Sequence, residues 1–130
     1  MLTRPGVRSE AIPSDQADTI RSRMEINGVN FPEARIAEFC QRNGVARLAV
    51  FGSILREATR EGEYGFRPSS DVDMLVEFLP GRTPGLLALS GMQIELSDML
   101  GREVDLRTPQ ELSRYFRDEV LREARMLHAA

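Results

Sequence analysis

The sequence has no lysine, no tryptophan, one cysteine (Cys40) and one histidine (His128). Each shortage excludes something. Without lysine there is no Schiff-base chemistry, no Walker-type phosphate lysine and no lysine general base. One cysteine excludes an internal disulfide and makes a reducing cytoplasm the default compartment. One histidine, near the C-terminal end, leaves a His-based zinc site short of ligands, and a Ser-His-Asp or Cys-His site would have to use that residue. Aromatics are only 6%, and 20 acidic residues outweigh 17 basic ones for a net charge of −3. All the basic residues are arginine and they are scattered, which argues against a nucleic-acid-binding module, whose affinity needs clustered positive charge. The longest stretch without a charged residue, 83–94, contains Pro84, Gly85 and Gly91 and cannot be a membrane span. The N-terminus shows no apolar core of a signal peptide.

What is present suits one soluble domain: 130 residues, 42% hydrophobic and 28% charged. Residues 1–29 read as a poorly ordered tail, rich in breakers such as Pro5, Gly6 and Pro13, with Met24 as an alternative start. The domain is expected over 30–130. Pro32 opens a helix with Ile36, Phe39 and Cys40 on its apolar stripe, and Asn43-Gly44 stops it. Cys40 on that stripe reads as a small core residue. Residues 46–51 (A-R-L-A-V-F) read as a buried strand, 54–60 as a short helix and 61–70 as a loop. Residues 71–78 (D-V-D-M-L-V-E-F) are the clearest strand, with Val72, Met74, Val76 and Phe78 on one face and Asp71, Asp73, Leu75 and Glu77 on the other. Leu86, Leu89, Met92, Leu96 and Leu100 mark a helix ending at Gly101, and 103–107 is a short strand. Thr108-Pro109-Gln110-Glu111 carries the signals of a helix start, and a helical segment is expected to run on to the C-terminal end, with a break near Ser113. The order α-β-α-β-α-β-α predicts an α/β domain with a small sheet.

Three features carry chemistry. Gly52-Ser53 ends a strand in a tight turn: glycine lets the backbone approach a ligand, and the serine hydroxyl with the N–H groups of a following helix would make a phosphate cradle. Asp71 and Asp73, two apart on a strand, project from one face, and like charges so close call for a cation; a hard divalent ion with oxygen ligands, such as Mg²⁺ completed by substrate phosphates, answers that. Asp105 lies between Val104 and Leu106 in the next strand. It either faces the Asp pair, if the strands are neighbours, or faces water.

Together Gly52-Ser53, Asp71-Val72-Asp73 and Asp105 resemble the minimal nucleotidyltransferase family of the DNA polymerase β superfamily, the small MntA-type antitoxins encoded beside HEPN-domain toxins. The resemblance runs from about residue 31 to 130. It implies a palm-like α+β fold, a small mixed sheet flanked by helices, that binds ATP with Mg²⁺, two ions in all. It assigns nucleotide binding to Gly52 and Ser53, and metal binding and catalysis to Asp71, Asp73 and Asp105, the last also helping to deprotonate the attacking hydroxyl. The implied reaction is transfer of AMP to a tyrosine hydroxyl of the cognate HEPN toxin. Arg56 matches an arginine three residues after the family's serine; it reaches a phosphate one helical turn from Ser53 or is a surface residue. Against the family's spacing, residues 59–65 (T-R-E-G-E-Y-G) are an insertion with loop-like composition. Two other functions stay open: an antitoxin that neutralises by binding alone, and a transferase acting on a small molecule such as an aminoglycoside.

Overall fold

A computed structural model describes residues 23–56, 67 and 69–130. The insertion at 59–65 and residues 1–22 lie outside that range. The described residues begin with a hairpin, β1 (Arg23–Ile26) and β2 (Val29–Pro32), followed by α1 (Glu33–Asn43) and β3 (Val45–Phe51). A single 3₁₀ turn (Gly52–Leu55) leaves β3, and β4 (Val72–Phe78) returns antiparallel beside it. Then come α2 (Leu86–Leu100), β5 (Val104–Arg107), a 3₁₀ turn (Pro109–Glu111), α3 (Arg114–Glu123) and β6 (Arg125–Ala129). The main sheet has the order β5-β4-β3-β6, with β4 and β5 parallel and the other pairs antiparallel. It is the small sheet that the element order predicts, and the mixed sheet with flanking helices that the family resemblance implies.

One face of the sheet is the core. Leu48 and Val50 of β3 and Val72, Met74 and Val76 of β4 are fully buried there, with Ile36, Phe39 and Cys40 of α1 and Leu96 of α2 in the same cluster. Burial among these side chains pushes the Cys40 thiol up to about 12, which makes it an inert packing residue. Gly44 and Gly101 close α1 and α2 in left-handed conformations, as helix-ending glycines do.

Several features differ from the sequence reading. Ordered structure begins by Arg23, inside the segment read as tail: Ile26, Val29 and Phe31 bury 94% or more of their surface against the core. The signal was Asn27-Gly28, with Met24, Ile26, Val29 and Phe31 around it. Both turn residues have positive φ, +51 and +86, the geometry a two-residue hairpin loop needs. Leu86 is not on the buried stripe of α2; it is 79% exposed, one residue into the helix and ahead of the turn that meets the sheet. The capping box of Thr108 and Glu111 is present, yet it caps a 3₁₀ turn of three residues, and α3 restarts under a Ser113 cap. The last segment is not helical throughout. After Ala124 it becomes β6, the edge strand on β3. Its residues R-M-L-H-A carry no breaker, so only the free edge of β3, a long-range partner, selects the strand.

Because Phe31 is fully buried, Phe31→Ala is expected to cost about 3–5 kcal/mol of unfolding free energy. Denaturant unfolding checks this; a loss below 1 kcal/mol, on the order of a surface change, would detach the hairpin from the domain.

Candidate functional site

The site lies on the sheet face away from the core, where three adjacent strands begin or end. Asp71 precedes β4 and Asp73 is its second residue. Val72 and Met74 are fully buried on the core face, so Asp73 between them emerges on the other. The same alternation in β5, with Val104 and Leu106 inward, turns Asp105 outward. The parallel register sets Asp105 directly beside Asp73, and the antiparallel register sets Phe51 on its other flank. The strands are neighbours, and of the two sequence readings of Asp105 the one facing the Asp pair holds.

The turn after β3 closes the site. Gly52 has φ +80, a conformation glycine takes without strain. A Cβ built on it would stand 2.5 Å from Asp73 Oδ2 and 3.3 Å from Asp73 Cγ, so the backbone at Gly52 lies against the carboxylate. Ser53 follows, half-buried, its carbonyl accepting from the Arg56 N–H at 2.9 Å. The expected helix is here a 3₁₀ turn of four residues, and Arg56 has left it with an extended backbone, φ −122 and ψ 138. Arg56 caps that turn, one 3₁₀ turn after Ser53 instead of one α-helical turn. It lies on the hairpin side: the Asn27 side-chain amide donates to the Arg56 carbonyl at 2.8 Å, and both residues line a 220 Å³ cavity with Arg125. The hairpin turn thus holds the Gly52-Ser53 turn from behind.

The electrostatics are those of crowded acids. Burial raises the pKa of Asp73; the charge on Asp105 raises it further, Arg107 opposes, and Asp71 adds to the rise. Asp105 accepts from Arg107 Nε at 3.1 Å. Arg107 was not singled out in the sequence, although the period-two argument that pairs Asp71 with Asp73 also pairs Asp105 with Arg107. Arg102 was also passed over: it donates to the Arg67 and Ser70 carbonyls at 2.9 and 2.8 Å, fixing the chain just before Asp71.

Among the described residues, no three carboxylate, imidazole or thiol groups already surround one point as a metal cage. The donor set nevertheless fits a hard divalent cation. It is all oxygen, Asp73 is partly desolvated and repelled by the other two carboxylates, and substrate phosphates can complete the coordination. One cavity of 480 Å³ lies between the hairpin turn and the C-terminal end of α2 and contains none of the three aspartates. A smaller one, 230 Å³, lies on the aspartate-bearing face, with Ala49 and Leu75 in its floor and Leu121 of α3 at its wall. Pocket size therefore does not mark the site; the carboxylates and the glycine turn do. No helix among the described residues is long and apolar enough to cross a membrane.

Comparison with known proteins gives the family. Residues 34–127 match the nucleotidyltransferase domain family. MJ0435 of Methanocaldococcus jannaschii, provisionally named a protein adenylyltransferase, is 34% identical over 96 residues, covering 74% of this chain and 94% of its own. The protein adenylyltransferase MntA of Thermococcus cleftensis is 36% identical over 86 residues, 66% of this chain and 78% of its own. A solved structure provisionally named a minimal nucleotidyltransferase superposes with a TM-score of 0.54 at 36% identity, over 72% of this chain and 86% of that one. A toxin–antitoxin crystal structure with AMP-PNP superposes at 0.56 and 20% identity, over 77% and 75%, and shares the fold. By sequence match and by fold, this chain belongs to the nucleotidyltransferase domain family and is a nucleotidyltransferase of the minimal kind.

Proposed function

We propose that this protein transfers AMP from ATP to a tyrosine hydroxyl of a HEPN-domain toxin and so acts as its antitoxin. The observation that carries the reading is the rung of Asp73 and Asp105 with Gly52 pressed against Asp73. The names of the two relatives support protein adenylylation, and the toxin–antitoxin structures of the same fold support a toxin as acceptor.

The Gly52-Ser53 turn binds the triphosphate through its backbone N–H groups and the serine hydroxyl, with Arg56 flanking it. Asp71 and Asp73 would hold Mg²⁺, with Asp105 holding the ion that activates the acceptor; when bound, the metal would polarise the α-phosphate and lower the pKa of the attacking hydroxyl. The hydroxyl oxygen bonds to the α-phosphorus, the bond between that phosphorus and the bridging oxygen breaks, and pyrophosphate leaves. The hydroxyl proton departs by way of the Asp105 carboxylate. The fixed rung aligns these groups before the reaction, which removes entropy from the barrier.

Mass spectrometry of the partner toxin after incubation with this protein, ATP and Mg²⁺ tests the reading. The expected result is a gain of one or more AMP units on tyrosine, absent with Asp105→Asn. Protection from the toxin without any mass gain would instead favour an antitoxin that acts by binding alone. AMP transfer to an aminoglycoside but not to the toxin would favour the small-molecule enzyme.

A further inference from the structure

The site carries its own cation. Arg107 lies two residues after Asp105 on β5, so both side chains leave the sheet on the aspartate-bearing face. Two of its nitrogens, Nε at 3.1 Å and one Nη at 3.0 Å, converge on a single oxygen, Asp105 Oδ2. The guanidinium side chain is 48% exposed, so the pair is held by little besides the two bonds and can open at small cost. Its charge also reaches Asp73 on the neighbouring strand. A divalent ion arriving at Asp105 by itself meets a like charge already bonded there. A triphosphate arriving with the ion offers that charge a better partner, since the planar fork of arginine matches phosphate oxygens.

We propose that Arg107 is an exchangeable counterion and positioning residue. In the nucleotide-free protein it neutralises Asp105; when the cation and the triphosphate enter together, it releases Asp105 to the cation and moves to a phosphate oxygen. The inference rests on the nucleotidyl-transfer reading above and adds to it a coupling between the two ligands. The exchange weakens binding of the ion alone and strengthens binding of the ion with nucleotide, and the coupling is reciprocal.

Mn²⁺ binding to the full chain, read from the electron paramagnetic resonance of free Mn²⁺, tests this without any turnover. Each protein is titrated alone and with saturating α,β-methylene-ATP. Arg107→Gln is expected to bind Mn²⁺ alone about two- to fivefold tighter than wild type, the size of a released partly exposed ion pair. The factor by which the analogue tightens Mn²⁺ binding is expected to fall by about tenfold, the loss of one charged contact to phosphate. Arg107→Lys keeps the charge without the fork; its affinity for Mn²⁺ alone should stay within twofold of wild type, on the order of a surface substitution. Unchanged or weaker binding of Mn²⁺ alone by Arg107→Gln would overturn the proposal, because a residue that merely orients Asp105 moves affinity down. If wild type binds Mn²⁺ no better than Asp73→Asn, the metal-site reading itself fails and the Arg107 role fails with it. If wild type binds and Arg107→Gln gains nothing, only the Arg107 role is lost.

Discussion

Asp73→Asn should lower kcat/KM for nucleotidyl transfer by at least about 10³-fold, equivalent to about 4 kcal/mol of transition-state stabilisation, while the protein stays folded. Asp73 is the most constrained of the three acids: it has a strand on each side and the Gly52 backbone against its Oδ2. Burial, and then the charge of Asp105, push its pKa up, so its ionised form is unfavourable in the folded protein without a cation. The sign of the stability effect follows. An acid whose pKa is higher folded than unfolded destabilises the fold when ionised, and the penalty disappears as pH falls through the raised value. Without metal, Asp73→Asn should therefore melt at or above the wild-type temperature at neutral pH, and the two should converge on acidification. Mg²⁺ with ATP should raise the melting point of wild type and leave the variant where it was, since only a ligand that binds the folded state stabilises it. Thermal melts between acid and neutral pH, with and without Mg²⁺ and ATP, check all three expectations. A variant that melts well below wild type at neutral pH would mean that Asp73 has a structural partner instead of a site to serve.

The sequence made the catalytic face legible because strand alternation is a strong signal. Val72, Met74 and Val76 had to be inward, which left Asp71, Asp73 and Leu75 no other face. Asp105 was legible only to the level of two alternatives, since which strands neighbour one another is a long-range fact. The parallel register of β4 and β5 decides it. The hairpin at Arg23–Pro32 was within reach of local reasoning, as Asn27-Gly28 with alternating apolar residues is a short-range signal. The breakers upstream of it hid the boundary. β6 was not within reach: Ala124 and the residues after it fit a helix as well as a strand, and the choice rests on pairing with β3, some 75 to 82 positions earlier in the registered pairs. The turn at Gly52 lies between these cases. Its need for glycine was readable, but the agent of that need, an Asp73 oxygen, comes from the strand beyond the insertion.

That contact makes Gly52→Ala the substitution most damaging to site and fold together. Two penalties act. A residue with a Cβ at φ +80 carries backbone strain of about 1–2 kcal/mol. The Cβ also meets Asp73 Oδ2 at 2.5 Å, a distance that no side chain tolerates, so either the turn lifts or the carboxylate rotates away. Both movements separate the phosphate-binding turn from the acid beside it, so transfer activity should fall by about 10²-fold or more, the cost of misplacing reacting groups by an ångström. Asp73→Asn loses activity and keeps stability; Gly52→Ala should lose both, with the melting temperature down by about 5–10 °C for a domain of this size. A double-mutant cycle separates the two penalties. In an Asp73→Ala background the carboxylate is gone, and the nearest remaining atom of residue 73 is Cβ at 3.5 Å, an ordinary contact. Gly52→Ala should then cost only the backbone strain, and the difference between backgrounds measures the clash. An equal cost in both backgrounds would show that the turn and the carboxylate are not coupled, and Gly52 would matter for its backbone conformation alone.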